Sequence, residues 1–227
     1  MKKISCIIPA YNEEKSIAQV LAVVTPLVGS FLEEIIVVDD ASSDGTKKIV
    51  QGFPVRLIEH TLNEGKSKSV ADGITSAKGN YIFLLDADLL SLNTQNILDL
   101  IEPIEQGISD VAMSYRKNAW PLFPFKKIDY LTGERILPIS SLNPTLSDMA
   151  LLPSYGLEVF LNKIIIREHL RIAVVGWPNV ENDLSQKKRG WWKGIRSIIK
   201  IWSNVLSTVS LFEMYSQNIR MQKQLIH

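Results

Sequence analysis

Asp86-Ala87-Asp88 follows five apolar or aromatic residues, Tyr81 to Leu85, which sets two carboxylates at the end of a run that must lie in a core. A carboxylate in that position is costly unless a cation meets it. Two oxygen-bearing side chains one residue apart suit a hard divalent ion, Mg²⁺ or Mn²⁺, which takes one or two carboxylates and completes its shell with phosphate oxygens and water. Lys66, at the mouth of a helix opening near Gly65, would set an ammonium and helix N-terminal amides against the same phosphates. Two more polar clusters precede these, Pro9-Ala10-Tyr11-Asn12-Glu13-Glu14 and Asp39-Asp40-Ala41-Ser42-Ser43-Asp44-Gly45. Any one of them alone reads as a turn or a cap. Four such clusters, each at the end of a short apolar run, point to a ligand site.

The elements that must carry them alternate. Ile4 to Ile8, Ile35 to Val38, Val55 to Ile58 and Tyr81 to Leu85 are β-branched or apolar runs, each followed by helix formers. Runs that are apolar throughout suit parallel strands covered on both faces, so the sequence predicts an α/β fold with a doubly wound, mostly parallel sheet. Ligands of such sheets bind outside the carboxyl ends of the strands, where all four clusters fall. Ser43-Asp44-Gly45 opens a helix toward Val50, Gly65 one toward Ala77, and Asn93 or Thr94 caps another that runs to about Gln106. Asp110 to Tyr115 reads as a fifth strand, Tyr155 to Glu168 as a helix, Ile172 to Val175 as a strand and Lys187 to about Gln222 as one or two helices. The proline-bearing stretch from Arg116 to Ser154 is expected to form loops and short helices over one end of the sheet.

Composition narrows the function classes. The chain has 227 residues, 46% hydrophobic and 22% charged, the balance of one globular core with an appendage. A net charge of +1 gives no field that would gather nucleic acid. Cys6, the single cysteine, reads as a small apolar strand residue. No disulfide can form within the chain, which fits a reducing cytoplasm. Met1 to Lys3 lead into a strand rather than a signal peptide, and no uncharged apolar stretch is long enough to span a bilayer.

In order and spacing, Ile7 to Glu14, Val37 to Thr46, Asn63-Glu64-Gly65-Lys66 and Asp86-Ala87-Asp88 resemble the signatures of family 2-like glycosyltransferases with the nucleotide-diphospho-sugar transferase (GT-A) fold. The resemblance implies a metal-assisted transfer from a nucleotide-diphospho-sugar donor. By it, Pro9, Ala10, Tyr11, Glu13 and Asp39 would line the nucleoside, Lys66 the diphosphate, and Asp86, Ala87 and Asp88 the nucleotide edge, with Asp88 on a Mg²⁺ or Mn²⁺ ion. Leu131 to Arg135 and Tyr155 to Val159 resemble acceptor-side segments of glucosyl-3-phosphoglycerate synthases and polyprenyl-phosphate sugar transferases. That resemblance places Glu158 in the site as a candidate catalytic residue and implies a lipid phosphate or a small phospho-acid as acceptor. Asn182 stands where many relatives have a metal-ligating His. The implied division is a GT-A-like domain over residues 1–180, with a nucleotide-binding half (1–115) and an acceptor half (116–180), followed by a helical extension over 181–227.

That extension is basic and amphipathic. Lys187, Lys188, Arg189, Lys193, Arg196 and Lys200 are joined by no acid, while Trp192, Ile195, Ile199, Trp202 and Leu206 recur at helical spacing. Such a segment either lies in a membrane interface or packs its stripe on the domain. The expected location is cytoplasmic, with room for peripheral contact on the inner face of the membrane and for a homodimer. His60, His169 and His227 show no metal spacing and read as ordinary surface or core imidazoles. Asp148 shares with Glu158 the role of candidate base. Two other classes compete: a nucleotidylyltransferase, which would want a G-x-G-T-R-like loop after the first strand, and a catalytically silent nucleotide-sugar-binding or membrane scaffold protein.

Overall fold

The computed structural model describes residues 2–116, 128–153, 156–182 and 209–226. Its first half follows the alternation of the sequence: β1 (Ile4–Ala10), α1 (Ile17–Val24), β2 (Glu34–Asp39), α2 (Thr46–Val50), β3 (Arg56–Glu59), α3 (Lys66–Ser76) and β4 (Tyr81–Leu84). A two-residue strand β5 (Leu89–Leu90), helix α4 (Thr94–Glu105) and strand β6 (Val111–Arg116) follow. Beyond them lie β7 (Arg135–Pro138), α5 (Ile139–Leu142), α6 (Leu146–Ala150), α7 (Gly156–Arg167), β8 (Ile172–Trp177), β9 (Glu181–Asn182) and α8 (Leu211–Gln222). No described helix is long and apolar enough to cross a membrane.

The main sheet has seven strands in the order β3-β2-β1-β4-β7-β6-β8, and all its pairings are parallel except those of β7. One core gathers Ile8, Leu21, Val37, Phe83 and Ile101 on one face, and a second gathers Ile7, Ile74, Ile82, Leu157 and Ile165 on the other. Burial on both faces is why these strands lack alternation. Cys6 is buried in the first core, and burial pushes its thiol well above the usual range, so the apolar reading of this residue holds.

The segment expected to be only loops and short helices is partly different. Arg135–Pro138 enters the sheet antiparallel between β4 and β6, pairing Phe83 with Ile136 and Met113 with Arg135. Four residues beginning with Arg and ending with Pro carry too little periodicity to announce a strand. The same holds for β5 and β9, which pair Leu89 with Asn182 and so bring residues near 182 back to the segment after β4.

At the chain's end α8 buries Met214 and Met221 in the second core. Leu225 forms a bridge to Ile172, extending the β8 edge. The amphipathic stripe from Trp192 to Leu206 and the cations from Lys187 to Lys200 lie outside the described residues.

Candidate functional site

The sheet order turns between β1 and β4: β2 lies on one side of β1, and the later strands lie on the other. A crevice opens at the carboxyl ends at such a switch point. Pairing of β1 with β4 stops at Ile7↔Leu84, while pairing with β2 runs on to Ala10↔Asp39. Pro9 sits where β4 has already departed, so its missing N–H leaves no ladder bond unmade on that side.

Loops after β1 and β2 are tied together along this crevice. The Asn12 N–H donates to Ser42 Oγ at 2.9 Å, the Ser43 N–H to Asn12 Oδ1 at 2.8 Å and the Glu13 N–H to Thr46 Oγ1 at 2.7 Å. The Ser42 hydroxyl donates to Asp39, and the Ser16 hydroxyl to Glu13 Oε2 at 2.9 Å. Asn12 and Ala41 both take a left-handed backbone, which turns each chain sharply at the strand end. Asp39 and Ala10 are buried, while Tyr11 stands 48% exposed over the crevice.

The third and fourth clusters meet through Lys66, the first residue of α3. Its ammonium lies 2.8 Å from Asp86 Oδ1 and donates to Glu158 Oε1 at 3.0 Å. Burial opposes the charge on Lys66, but the Asp86 and Glu158 carboxylates outweigh it and hold the group above the usual lysine range. Glu158 is in the first turn of α7, and its second oxygen, Oε2, is buried without a hydrogen-bond partner. Gly133 passes close by: a Cβ there would stand 2.5 Å from Asp86 Oδ2, so only glycine lets this loop approach the carboxylate. Two residues on, Asp88 Oδ1 accepts from Asn182 Nδ2 at 2.7 Å across the β5–β9 ladder.

Of the groups behind this edge, sequence reasoning did not single out Arg116 or Asp129, and it carried Glu134 and Arg135 only as members of the acceptor-side segment Leu131 to Arg135. Arg116, the last residue of β6, donates to Asn182 Oδ1 and lies 3.5 Å from Glu134 Oε1. Burial opposes its charge, while Glu134, Asp86, Asp129 and Asp88 raise its affinity for the proton. Glu134 is fully buried and accepts from the Ser114 and Thr132 hydroxyls at 2.8 Å each. Burial and then the Asp86 charge push its carboxyl above the usual range, and burial does the same to Asp129. Arg135, also fully buried, donates to Asn162 Oδ1 at 3.0 Å, and burial pulls it below the usual arginine range. Its place in β7 is the signal that local pattern could not supply. Asp148 is exposed on α6, and His60 is a core imidazole held between Asp40 and Asp72.

Residues 5–171 match the family model for Glycosyl transferase family 2. The chain belongs to that family. Among curated members, dolichol-phosphate mannosyltransferase of Pyrococcus furiosus is 35% identical over 118 residues, covering 50% of this chain and 33% of that protein. Dodecaprenyl-phosphate galacturonate synthase of Rhizobium johnstonii is 30% identical over 124 residues, covering 51% of this chain and 36% of that protein. The match thus spans about a third of either relative. Glucosyl-3-phosphoglycerate synthase of Mycobacterium tuberculosis, solved with Mn²⁺, uridine diphosphate and glucosyl-3-phosphoglycerate, superposes with a TM-score of 0.74 at 21% identity, over 91% of this chain and 80% of that one. The fold of this family 2 chain is therefore that of the GT-A glycosyltransferases.

The donor set at Asp88 is consistent with a hard divalent ion. Among the described residues no group of three or more His, Cys, Asp or Glu side chains could hold a metal ion by itself. One or two carboxylates suffice for Mg²⁺ or Mn²⁺ when phosphate oxygens and water supply the rest. The acids here also outnumber the cations: Asp86, Asp88, Asp129, Glu134 and Glu158 surround Lys66, Arg116 and Arg135.

Proposed function

We propose that this chain is a glycosyltransferase that moves a sugar from a nucleotide-diphospho-sugar to an acceptor with the help of Mg²⁺ or Mn²⁺. The observation that carries the reading is the meeting of Lys66 with Asp86 and Glu158 in a family 2 fold, with Asp88 acting together with Asp86 on Arg116. Charge grows on the departing nucleoside diphosphate as the glycosidic bond breaks, and catalysis consists largely of stabilising it. Lys66 and the first amides of α3 would serve that role, with Asp86 and Glu158 holding the ammonium in place. The ion, when bound at Asp88, would add Lewis-acid stabilisation of the same diphosphate. Pro9, Ala10, Tyr11, Glu13 and Asp39 would form the nucleoside side of the crevice, with Ala87 at the nucleotide edge. A sugar nucleotide is already activated, so no covalent enzyme nucleophile is needed.

The acceptor side would be the segment from Leu131 to Arg135, which leads into β7, and the start of α7. Relatives named for lipid phosphates and for phosphoglycerate support an acceptor bearing a phosphate. Incubation with a panel of sugar nucleotides, polyprenyl phosphates and phospho-acids, scored by release of nucleoside diphosphate and by acceptor glycosylation, tests the reading. Absence of turnover with every pair in saturating Mn²⁺ would favour a silent binding protein.

Contact with an anionic membrane is a second reading for the region around α8. Phe212 is 80% exposed and Tyr215 44% exposed, three residues apart on the helix, directly after the basic, tryptophan-bearing stretch. Replacing Lys193, Arg196 and Lys200 by Glu should release the protein from anionic vesicles, since each cation near such a surface is worth about 1 kcal/mol. Failure of the unaltered protein to bind these vesicles at low salt would contradict it.

A further inference from the structure

We propose that Asp40 is a positioning residue: from the end of β2 it fixes the loop at residues 63–66 and so carries Lys66 to Asp86 and Glu158. Asp40 is 3% exposed, and each of its carboxylate oxygens accepts a backbone N–H of that loop: Oδ1 from Glu64 at 2.8 Å and Oδ2 from Gly65 at 2.8 Å. The Asn63 side chain donates to the Asp40 carbonyl at 3.3 Å. Gly65, the residue that caps α3, has no side chain to satisfy its own helix start and adopts φ +93°. A carboxylate from the end of another strand therefore holds the backbone of the two residues immediately before the one that bears the ammonium.

His60 completes the brace. Its Nδ1 lies 2.8 Å from Asp40 Oδ1 and its Nε2 3.0 Å from Asp72 Oδ2, in the second turn of α3. Asp40 itself is anchored to the central strand, since its N–H donates to the Ala10 carbonyl at 2.9 Å. The loop that begins α3 is thus tied to β1 through Asp40 and to its own helix through His60. A lysine side chain is flexible, and a fixed backbone origin is what lets it meet two carboxylates at once.

This proposal rests on Lys66 acting on the donor diphosphate, and a double-mutant cycle separates the two ideas. Asp40→Asn retains the size of the side chain but turns an NH₂ toward a backbone N–H. It should lower kcat/KM for the donor by about 10-fold, and by less than about 2-fold once Lys66→Met is already present, because coupled residues do not act additively. Equal factors in the two backgrounds would overturn the proposal. Lys66→Met alone with unaltered turnover would refute the role of Lys66. In that case, amide exchange of residues 63–66 judges the brace: faster exchange in Asp40→Asn supports it, and wild-type protection overturns it. Should Asp40→Asn fail to fold, His60→Gln enters the same cycle and the same exchange measurement, with the same expected direction.

Discussion

Asn182 Nδ2 donates to Asp88 Oδ1 at 2.7 Å, and the oxygen of the same amide accepts from Arg116. A guanidinium only donates and a carboxylate only accepts, so the two partners fix which way the amide points. Asn182 therefore orients Asp88 with an N–H and spends its oxygen on Arg116. The register that brings the two together, Leu89 with Asn182, comes from a two-strand ladder outside the main sheet. The site implied for a relative's histidine is thus beside Asp88 in space.

From that position Asn182→His should strengthen metal binding, because an imidazole is a better ligand for Mn²⁺ than an amide oxygen already engaged by Arg116. Titration of Mn²⁺ into protein saturated with nucleoside diphosphate should show about a 10-fold gain, provided a neighbouring acceptor takes the second N–H of the ring and orients it. Equal affinities in the two proteins would put residue 182 outside the coordination sphere.

Asp39→Ala should act on donor binding more than on the chemical step. Asp39 accepts from Ser42 and is assigned to the nucleoside, away from the bond that breaks, so its contact would be the same before and during bond breaking. A rise in donor KM of about 10-fold with kcat within about 2-fold is expected. Steady-state kinetics at varied donor concentration check it, and an unchanged KM would remove Asp39 from the nucleoside side.

Glu134 gives a pH-dependent prediction. Its carboxyl is pushed above the ordinary 4.5 by burial first and Asp86 second. The folded chain then holds this proton more tightly than the unfolded chain, so the contribution to stability is full below the unfolded value and is lost as pH rises through the folded one. Each unit of such a shift corresponds to about 1.4 kcal/mol. Glu134→Gln removes the titrating proton, and its urea midpoint should depend less steeply on pH as pH rises above 4.5. Parallel curves for the two proteins would contradict a raised carboxyl at this position.

Several parts of this architecture were legible because they are local. The apolar runs of β1, β2, β4, β6 and β8 and the Asn93 start of α4 needed no distant partner; Asn93 Oδ1 accepts the Asn96 N–H, and Asn96 Oδ1 accepts the Asn93 N–H in return. β7 was hidden because Arg135 and Pro138 frame only two apolar residues, and its antiparallel pairing depends on neighbours far along the chain. The same reason governs the site. Lys66 could be read as a helix-start cation, but its bond to Glu158 spans 92 positions and exists only in the fold. Arg116 carries no unusual spacing, and Asp40 and Glu134 lie inside quoted motifs that give no sign of the partner each meets. Their roles follow from being carried to one sheet edge, where acids exceed cations away from water.

In the proposed reaction Asp88 holds a divalent ion for the transfer of a sugar from its nucleotide. The most direct test of that role is release of nucleoside diphosphate from a turned-over donor, followed with and without Mn²⁺ in the wild type and in Asp88→Ala, with thermal melting of both as a control. The wild type should depend on the ion, and Asp88→Ala should lose at least about 100-fold in kcat/KM while melting normally, because an edge carboxylate removes no core packing. Wild-type rates in saturating chelator, or undiminished metal-dependent rates in a folded Asp88→Ala, would contradict it.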